Sequence, residues 1–254
     1  MANAILLHWS RRKEIIVPGS QKFTANGTFT APYTAVYTVV LIGGTGSGGK
    51  GGDSGVGISQ TFFDDYGVTQ YGSASGGSGG GGGSSGTPAK STITLKLIKG
   101  QSVSITVNNS IVSFGAHKSI TSSGNGQNGG YGGNAYAASF EEPKPGTAGS
   151  AGSGGEPGVC SISGSNVIYT NDVKGATGNS GQKGLQGESG YNQIDSPLSK
   201  GKSGGSGGVK SGARSGGKGG DSEDSQYSSV TSKNSGANGQ ALTKGNITVS
   251  WGNA

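Results

Sequence analysis

Apolar residues in this chain are confined to a few short blocks. Tyr33 to Ile42 (YTAVYTVVLI) is β-branched and aromatic, Thr92–Ile98 (TITLKLI) and Val103–Val107 (VSITV) alternate apolar with polar positions, and Ile247–Trp251 (ITVSW) lies near the end of the chain. Alternation of period two with β-branched enrichment predicts strands. The second and third blocks, separated by Lys99-Gly100-Gln101-Ser102, read as a hairpin. A weaker hairpin is expected from Ile162 to Tyr169 around Gly164-Ser165-Asn166. No α-helix longer than three turns is expected. The strands together predict a small antiparallel β-sheet at one end of the molecule.

Between the blocks the periodic residue is glycine. It recurs every third position at Gly43-Gly46-Gly49-Gly52-Gly55, at Gly146-Gly149-Gly152-Gly155-Gly158 and at Gly175-Gly178-Gly181-Gly184-Gly187-Gly190. Segment 76–86 carries two such phases, and 124–133 and 201–220 are less strict versions. A period of three is the repeat of polyproline-II geometry, so each run presents an edge without side chains. Neighbouring runs can then approach backbone to backbone, and their N–H and C=O groups can pair across the contact. A collagen-like triple helix needs abundant proline, and this chain has 7 in 254 residues. The expected fold is therefore all-β and irregular: a bundle of polyglycine-II helices capped at one end by the antiparallel sheet.

Composition sharpens this picture. Glycine fills 56 of 254 positions and apolar residues only 29%, too little apolar surface for an ordinary sandwich or α/β core of this length. One cysteine, Cys160, excludes an intrachain disulfide framework and is read as a small buried hydrophobe. The apolar group Ile5, Leu6, Leu7 and Trp9 is too short for a signal core and precedes its charges, Arg11, Arg12 and Lys13, so the chain is expected to be made in a cytoplasm. Residues 1–22 stand outside the repeat and read as a separate attachment segment, with 23–254 as one glycine-rich domain.

Candidate catalytic chemistry is thin. The two histidines, His8 and His117, form no triad with a serine and a carboxylate, and G-x-G-x-x-G patterns such as Gly46-Gly48-Gly51 follow from composition alone. Gly201-Lys202-Ser203 mimics the end of a phosphate-binding loop, but Ser196 stands where its leading glycine belongs. No enzyme activity, cofactor or metal site is expected.

Four glycine-poor segments (56–75, 135–145, 191–200 and 221–235) carry the recognition chemistry. They hold Phe62, Phe63, Tyr66, Tyr71, Tyr136, Phe140, Tyr191 and Tyr227, and beside them Asp64, Asp65, Glu141, Glu142, Asp195, Asp221, Glu223 and Asp224. Their charge balance is −5, which leaves +11 on the remainder of a chain of net charge +6. Flat rings next to acceptors suit stacking on sugar faces or gripping a basic protein loop, with large contact area at low entropy cost. The amides Asn192 and Gln193 belong to the same candidate surface. Lys200, Lys202, Lys210, Arg214 and Lys218 form a second, basic cluster suited to phosphates or other anions. Their lysines are not interleaved with aromatics, so nucleic-acid binding is not expected.

The order of these features resembles a known family. Asn26-Gly27-Thr28-Phe29-Thr30-Ala31-Pro32 is followed by Val36 to Ile42 and Gly43-Gly44, then a polyglycine run and Lys99-Gly100-Gln101-Ser102-Val103 to Val107. More glycine triplets follow, and then Asn246-Ile247-Thr248-Val249-Ser250-Trp251. This resembles, over roughly residues 23–254, the glycine-rich domain of phage tail-fibre tips, and it is similar to the T-even-type distal adhesins. The resemblance implies layered polyglycine-II helices and a host outer-surface receptor (an outer-membrane protein or a lipopolysaccharide glycan) bound by the loops between glycine motifs. It also implies a place at the tail-fibre tip of the virion, with the tail-fibre protein held through Ile5, Leu6, Leu7 and Trp9. A non-binding structural cap or decoration protein of the virion is the alternative, and a glycine-bundle ice binder a third.

Overall fold

The computed structural model describes residues 14–63, 65–161, 164, 166–191, 202–211, 213–223, 229 and 232–252. The expected attachment residues Ile5, Leu6, Leu7 and Trp9 lie outside them. Twelve strands are formed: β1 (Gly19–Phe23), β2 (Gly27–Thr30), β3 (Ala35–Ile42), β4 (Ile58–Phe63), β5 (Thr69–Ala74), β6 (Lys90–Leu97), β7 (Ser102–Val107), β8 (Ile111–Phe114), β9 (Lys118–Thr121), β10 (Val167–Val173), β11 (Ser189–Tyr191) and β12 (Asn246–Trp251). Among the described residues there is no α-helix.

One end is a β-sandwich. A five-stranded antiparallel sheet, ordered β1-β12-β3-β6-β10, faces a four-stranded one, ordered β2-β7-β8-β9. Alternation places Tyr37, Val39 and Leu41 of β3, Ile93, Leu95 and Leu97 of β6, and Ile247 and Val249 of β12 on the inner face. They meet Phe29, Val103, Ile105, Val112, Phe114 and Ile120 of the second sheet. Phe29 sits edge-on to Tyr37 at 5.5 Å and tilted against Phe114 and Trp251. Each fully buried aliphatic or Phe side chain contributes roughly 1.5–3 kcal/mol, so this end supplies most of the hydrophobic stabilisation. Cys160 packs against the same core, and burial pushes its thiol pKa up. Lys118 is buried beneath the sheet edge, where its ammonium donates to Asp172 Oδ2 of β10 at 2.6 Å.

The strands at 92–98 and 103–107 form, but not as the expected hairpin. β6 pairs with β3 and β10, whereas β7 pairs with β2 and β8. The turn at Gly100, with φ of +81°, carries the chain from one sheet to the other. The hairpin expected at 162–169 falls partly on positions 162, 163 and 165, which lie outside the described residues; Val167–Val173 form the edge strand β10, paired with β6. β1 pairs with β12 from Gly19 onward, so the body begins before the boundary drawn at residue 22.

Eight glycine-rich runs extend from the sandwich: run 1 (43–57), run 2 (75–89), run 3 (122–135), run 4 (145–159), run 5 (174–188), run 6 (202–210), run 7 (213–223) and run 8 (232–245). Run 2 is the axis. Every N–H from Gly77 to Thr87 donates to a neighbouring carbonyl at 2.8–3.1 Å, in strict rotation to runs 3, 5 and 7. Gly77, Ser78 and Gly79, for example, donate to Gly133, Leu185 and Gly220. Its carbonyls accept from runs 1, 4 and 6, as at Gly49 to Gly83, Gly152 to Gly81, and Gly208 to Gly82. Six runs thus surround run 2, and bonds between adjacent members close the ring in the order 1-3-4-5-6-7. Run 8 lies outside, bonded to runs 1 and 7.

This pattern dictates the residues. All three faces of run 2 meet backbone, and from Ser75 to Gly86 it is buried throughout. A Cβ on Gly79, Gly80 or Gly81 would fall against the carbonyl of Gly52, Ser150 or Ser206 respectively. Serine is tolerated where its hydroxyl bonds the neighbour: Ser78 Oγ accepts from Leu185 N at 2.7 Å and donates to Ser203 O at 2.7 Å. Outer runs have free faces and carry polar side chains there. The run glycines do not occupy the left-handed region; those that do, Gly67, Gly100, Gly115 and Gly252, lie outside the runs. Glycine is required here for close approach, not for unusual φ.

Gly80→Val and Gly181→Val place side chains against backbone that cannot yield. Each is expected to lower Tm by at least about 5 °C or abolish soluble protein, while Ser150→Ala, on an exposed face, should change Tm by no more than about 2 °C. Thermal unfolding of the three variants checks this; equal stability would rule out the tight contact.

Candidate binding surface at the loop end

Hydrogen-bond register fixes which connections share an end. Runs 1, 3, 5 and 7 are antiparallel to run 2, and runs 4 and 6 are parallel to it: Gly49 pairs near Gly83 and Gly55 near Gly77, whereas Gly146 meets Ser75 and Gly155 meets Ser84. Run 8 is antiparallel to run 1, since Gly48 pairs with Gln240 and Ser54 with Asn234. The segments leaving runs 1, 3, 5 and 7 at 58, 136, 189 and 223 therefore lie at the end opposite the sandwich. So do those entering runs 2, 4, 6 and 8. Of the four glycine-poor segments, 56–75 and 135–145 thus start and finish at this one end, and residues 221–223 and 232–235 of the fourth lie there too, as does Tyr191; residues 192–200 lie outside the described residues.

Two of them build a defined surface. Segment 56–75, read from sequence as a loop, is the hairpin β4–β5, with β11 added along β5. Segment 135–145 folds back on itself through Tyr136 and Lys144, whose backbone groups exchange bonds of 3.1 and 2.8 Å. Gln60 of β4 ties the two together, its Nε2 donating to the carbonyls of Ala138 and Glu141 at 2.7 Å each. Phe63 N donates to Phe140 O at 3.3 Å, and the Phe63 and Phe140 rings stack with centroids 5.3 Å apart and planes 27° apart. Phe140 has φ of +62°, an unusual conformation for an aromatic residue. Phe62 points inward beneath Gly72, where a Cβ would come within 2.8 Å of its ring.

The result is a cleft of about 560 Å³ lined by Phe62, Phe63, Asp65, Tyr66, Gln70, Phe140, Glu141, Glu142 and Lys144. Tyr66 is 91% exposed, and Phe63, Phe140 and Tyr136 are each more than half exposed. Lys144 Nζ stands 5.7 Å from the centre of the Tyr136 ring. Of the residues singled out from sequence, Phe62, Phe63, Asp65, Tyr66, Phe140, Glu141 and Glu142 meet in this cleft. Tyr71 is half-buried on β5, and Tyr136 is at its rim. Tyr191 closes β11, and Glu223 lies at the end of run 7. Asp64, Asn192, Gln193, Asp195, Asp224 and Tyr227 lie outside the described residues. Gln70 and Lys144 were not singled out; a lone amide on a strand and a lysine between two prolines carry no sequence signal of a site.

Of the expected basic cluster Lys200 lies outside the described residues, and the other four members do not form one surface. Lys210 and Arg214 flank the turn between runs 6 and 7 at the sandwich end, while Lys202 and Lys218 lie toward the loops. Lys202 pairs with Glu188, and Lys218 with Asp221 at 2.8 Å. Segment 201–220, read as one run, is two antiparallel runs, because Ala213 N bonds Lys210 O and Gly216 N bonds Gly208 O. Among the described residues no group of three His, Cys, Asp or Glu side chains could hold a metal ion, and no helix is long and apolar enough to cross a membrane. No protein family and no curated protein matches the chain.

Two acids anchor the runs that carry the loops. Asp53 accepts from Gly236 N at 3.0 Å and from Lys50, and Asp221 from Lys218 and from Gly204 N at 2.6 Å. The Gly236 N–H holds the Asp53 carboxyl below its usual range, and Lys218 does so for Asp221. Their stabilisation is full above the ordinary carboxylate pKa of about 4 and is lost as pH falls through the lower folded values. The amides of Gly236 and Gly204 should lose hydrogen-exchange protection as pH falls below about 4. Asp53→Asn and Asp221→Asn should flatten that dependence, each at its own amide; an unchanged acid profile would contradict the assignment.

Proposed function

We propose that this chain is a receptor-binding adhesin at the tip of a phage tail fibre, and that its eight runs are polyglycine-II helices. The three-residue rotation of hydrogen bonds around run 2 supports the second part. The observation that carries the first is convergence: segments 56–75 and 135–145, far apart in sequence, meet at one end and are stitched together by Gln60 around exposed rings. Exposed rings need a reason, because an aromatic cluster exposed to water leaves part of its burial energy unrealised. A purely structural cap has no use for the stacked pair Phe63 and Phe140.

The opposite end suits attachment to the fibre. β3 begins there and β6 ends there, and Ile15, Val17, Val36 and Ile98 are all more than half exposed. Glu14, paired with Lys99 at 2.6 Å, lies at this end, so the tail-fibre protein would be engaged there and the host receptor at the other.

Purified protein is expected to compete with phage for host cells. The triple variant Phe63→Ala, Tyr66→Ala, Phe140→Ala should lose competition by at least about tenfold with Tm unchanged, since interface aromatics act as anchors. Adsorption counts with each protein as competitor give the answer. Wild-type protein without any blocking effect would favour the cap.

A further inference from the structure

The cleft between β4 and segment 135–145 combines two features that select a ligand class. Its walls are aromatic, and its acids outnumber its bases. Asp65, Glu141 and Glu142 make no side-chain hydrogen bond or ion pair, leaving Lys144 as the one cation among the described lining residues. That lysine is already directed to a ring, standing over Tyr136. Among the described residues no cation stands over Phe63 or Phe140, although each exposes more than half of its surface.

We infer that the cleft receives a basic side chain, arginine above all, from a protein loop, in preference to a phosphorylated glycan. A planar guanidinium can lie on the outer face of the Phe63–Phe140 stack and present its N–H fork to a neighbouring carboxylate, two contacts that reinforce one another away from water. A phosphate-bearing sugar would gain the ring face but meet uncompensated carboxylates. The cleft volume of about 560 Å³ lies within the range of built ligand sites and exceeds one side chain, which suits an arginine with its flanking residues. The partner rests on the adhesive reading above; the chemistry of the cleft does not.

The test uses the full chain and a fluorescein-labelled peptide, Gly-Ser-Arg-Gly-Arg-Ser-Gly, read by fluorescence anisotropy. A second peptide carries citrulline, which keeps the shape and removes the charge, and lipopolysaccharide micelles serve as competitor. Binding should be weaker by about tenfold for the citrulline peptide and for Glu141→Gln/Glu142→Gln. It should tighten by about twofold for Lys144→Gln and weaken with rising salt. Equal binding of both peptides, no binding, displacement by micelles at lower concentration than by unlabelled peptide, or an unaffected double variant would each overturn the inference. Circular dichroism melting of the double variant separates lost binding from lost fold, and Lys144→Gln reports independently because its predicted change is a gain. If wild-type protein blocks phage adsorption but ignores the peptide, the adhesive role stands and the basic ligand falls. If it binds the peptide but does not block adsorption, the reverse holds.

Discussion

The structure depends on one constraint: a buried backbone must pair its N–H and C=O groups, and run 2 has neither a helix nor a sheet in which to do so. Its solution is to send successive groups in three directions to six surrounding segments. Each net hydrogen bond is worth only about 0.5–1.5 kcal/mol, but an unpaired buried one costs about 1–3 kcal/mol. Specificity therefore comes less from the bonds gained than from the penalty on any arrangement that leaves some unmade. The close spacing this requires excludes side chains from the contact, and from that follow the glycine period, the serines of the axis and the low apolar content.

A lattice held this way cannot assemble piecemeal. Run 2 is in place only when runs contributed from residues 43 to 223 surround it, so nearly all its bonds join distant parts of the chain. Closing such loops costs entropy before the contacts form. The sandwich offsets this. β3 leads directly into run 1, run 2 into β6, β9 into run 3, β10 into run 5 and run 8 into β12. Pairing of these strands sets the starting positions of their runs, and a conventional hydrophobic core thereby registers a scaffold that has none.

Much of this was legible in the sequence, because both repeats act locally: period three marks the runs, and β-branched alternation marks β3, β6, β7 and β12. What was missed has physical causes. A hairpin and a corner between two facing sheets share the same alternating pattern, so Thr92–Val107 could not distinguish them; only the distant partners β3 and β2 do. β1, β4 and β5 are rich in Gly, Ser, Gln and Thr and look like loop, yet they pair because neighbouring elements hold their edges in place. Run 8 has glycine only at 236, 239 and 245; it lies outside the ring, so fewer of its faces meet backbone and its period is diluted. In the cleft, rings and acids were recognisable as types. Which of them meet was not, since that is decided by Gln60 reaching across 78 residues to Ala138.

The same division of labour bears on the proposed binding role. Residues inside the lattice are constrained by the approach of backbone on every side, so substitution there threatens the whole. At the loop end β4, β5 and β11 are held by strand pairing, segment 135–145 by the Tyr136–Lys144 pairing and Gln60, and the runs beneath them by the carboxylates of Asp53 and Asp221. Rings and charges can be exchanged there without disturbing the bonds around run 2. For the proposed adhesive role this means that ligand preference and fold are set by different residues, joined through a handful of polar side chains at the junction. Changes in those junction residues, not in the rings themselves, are where affinity and stability become coupled.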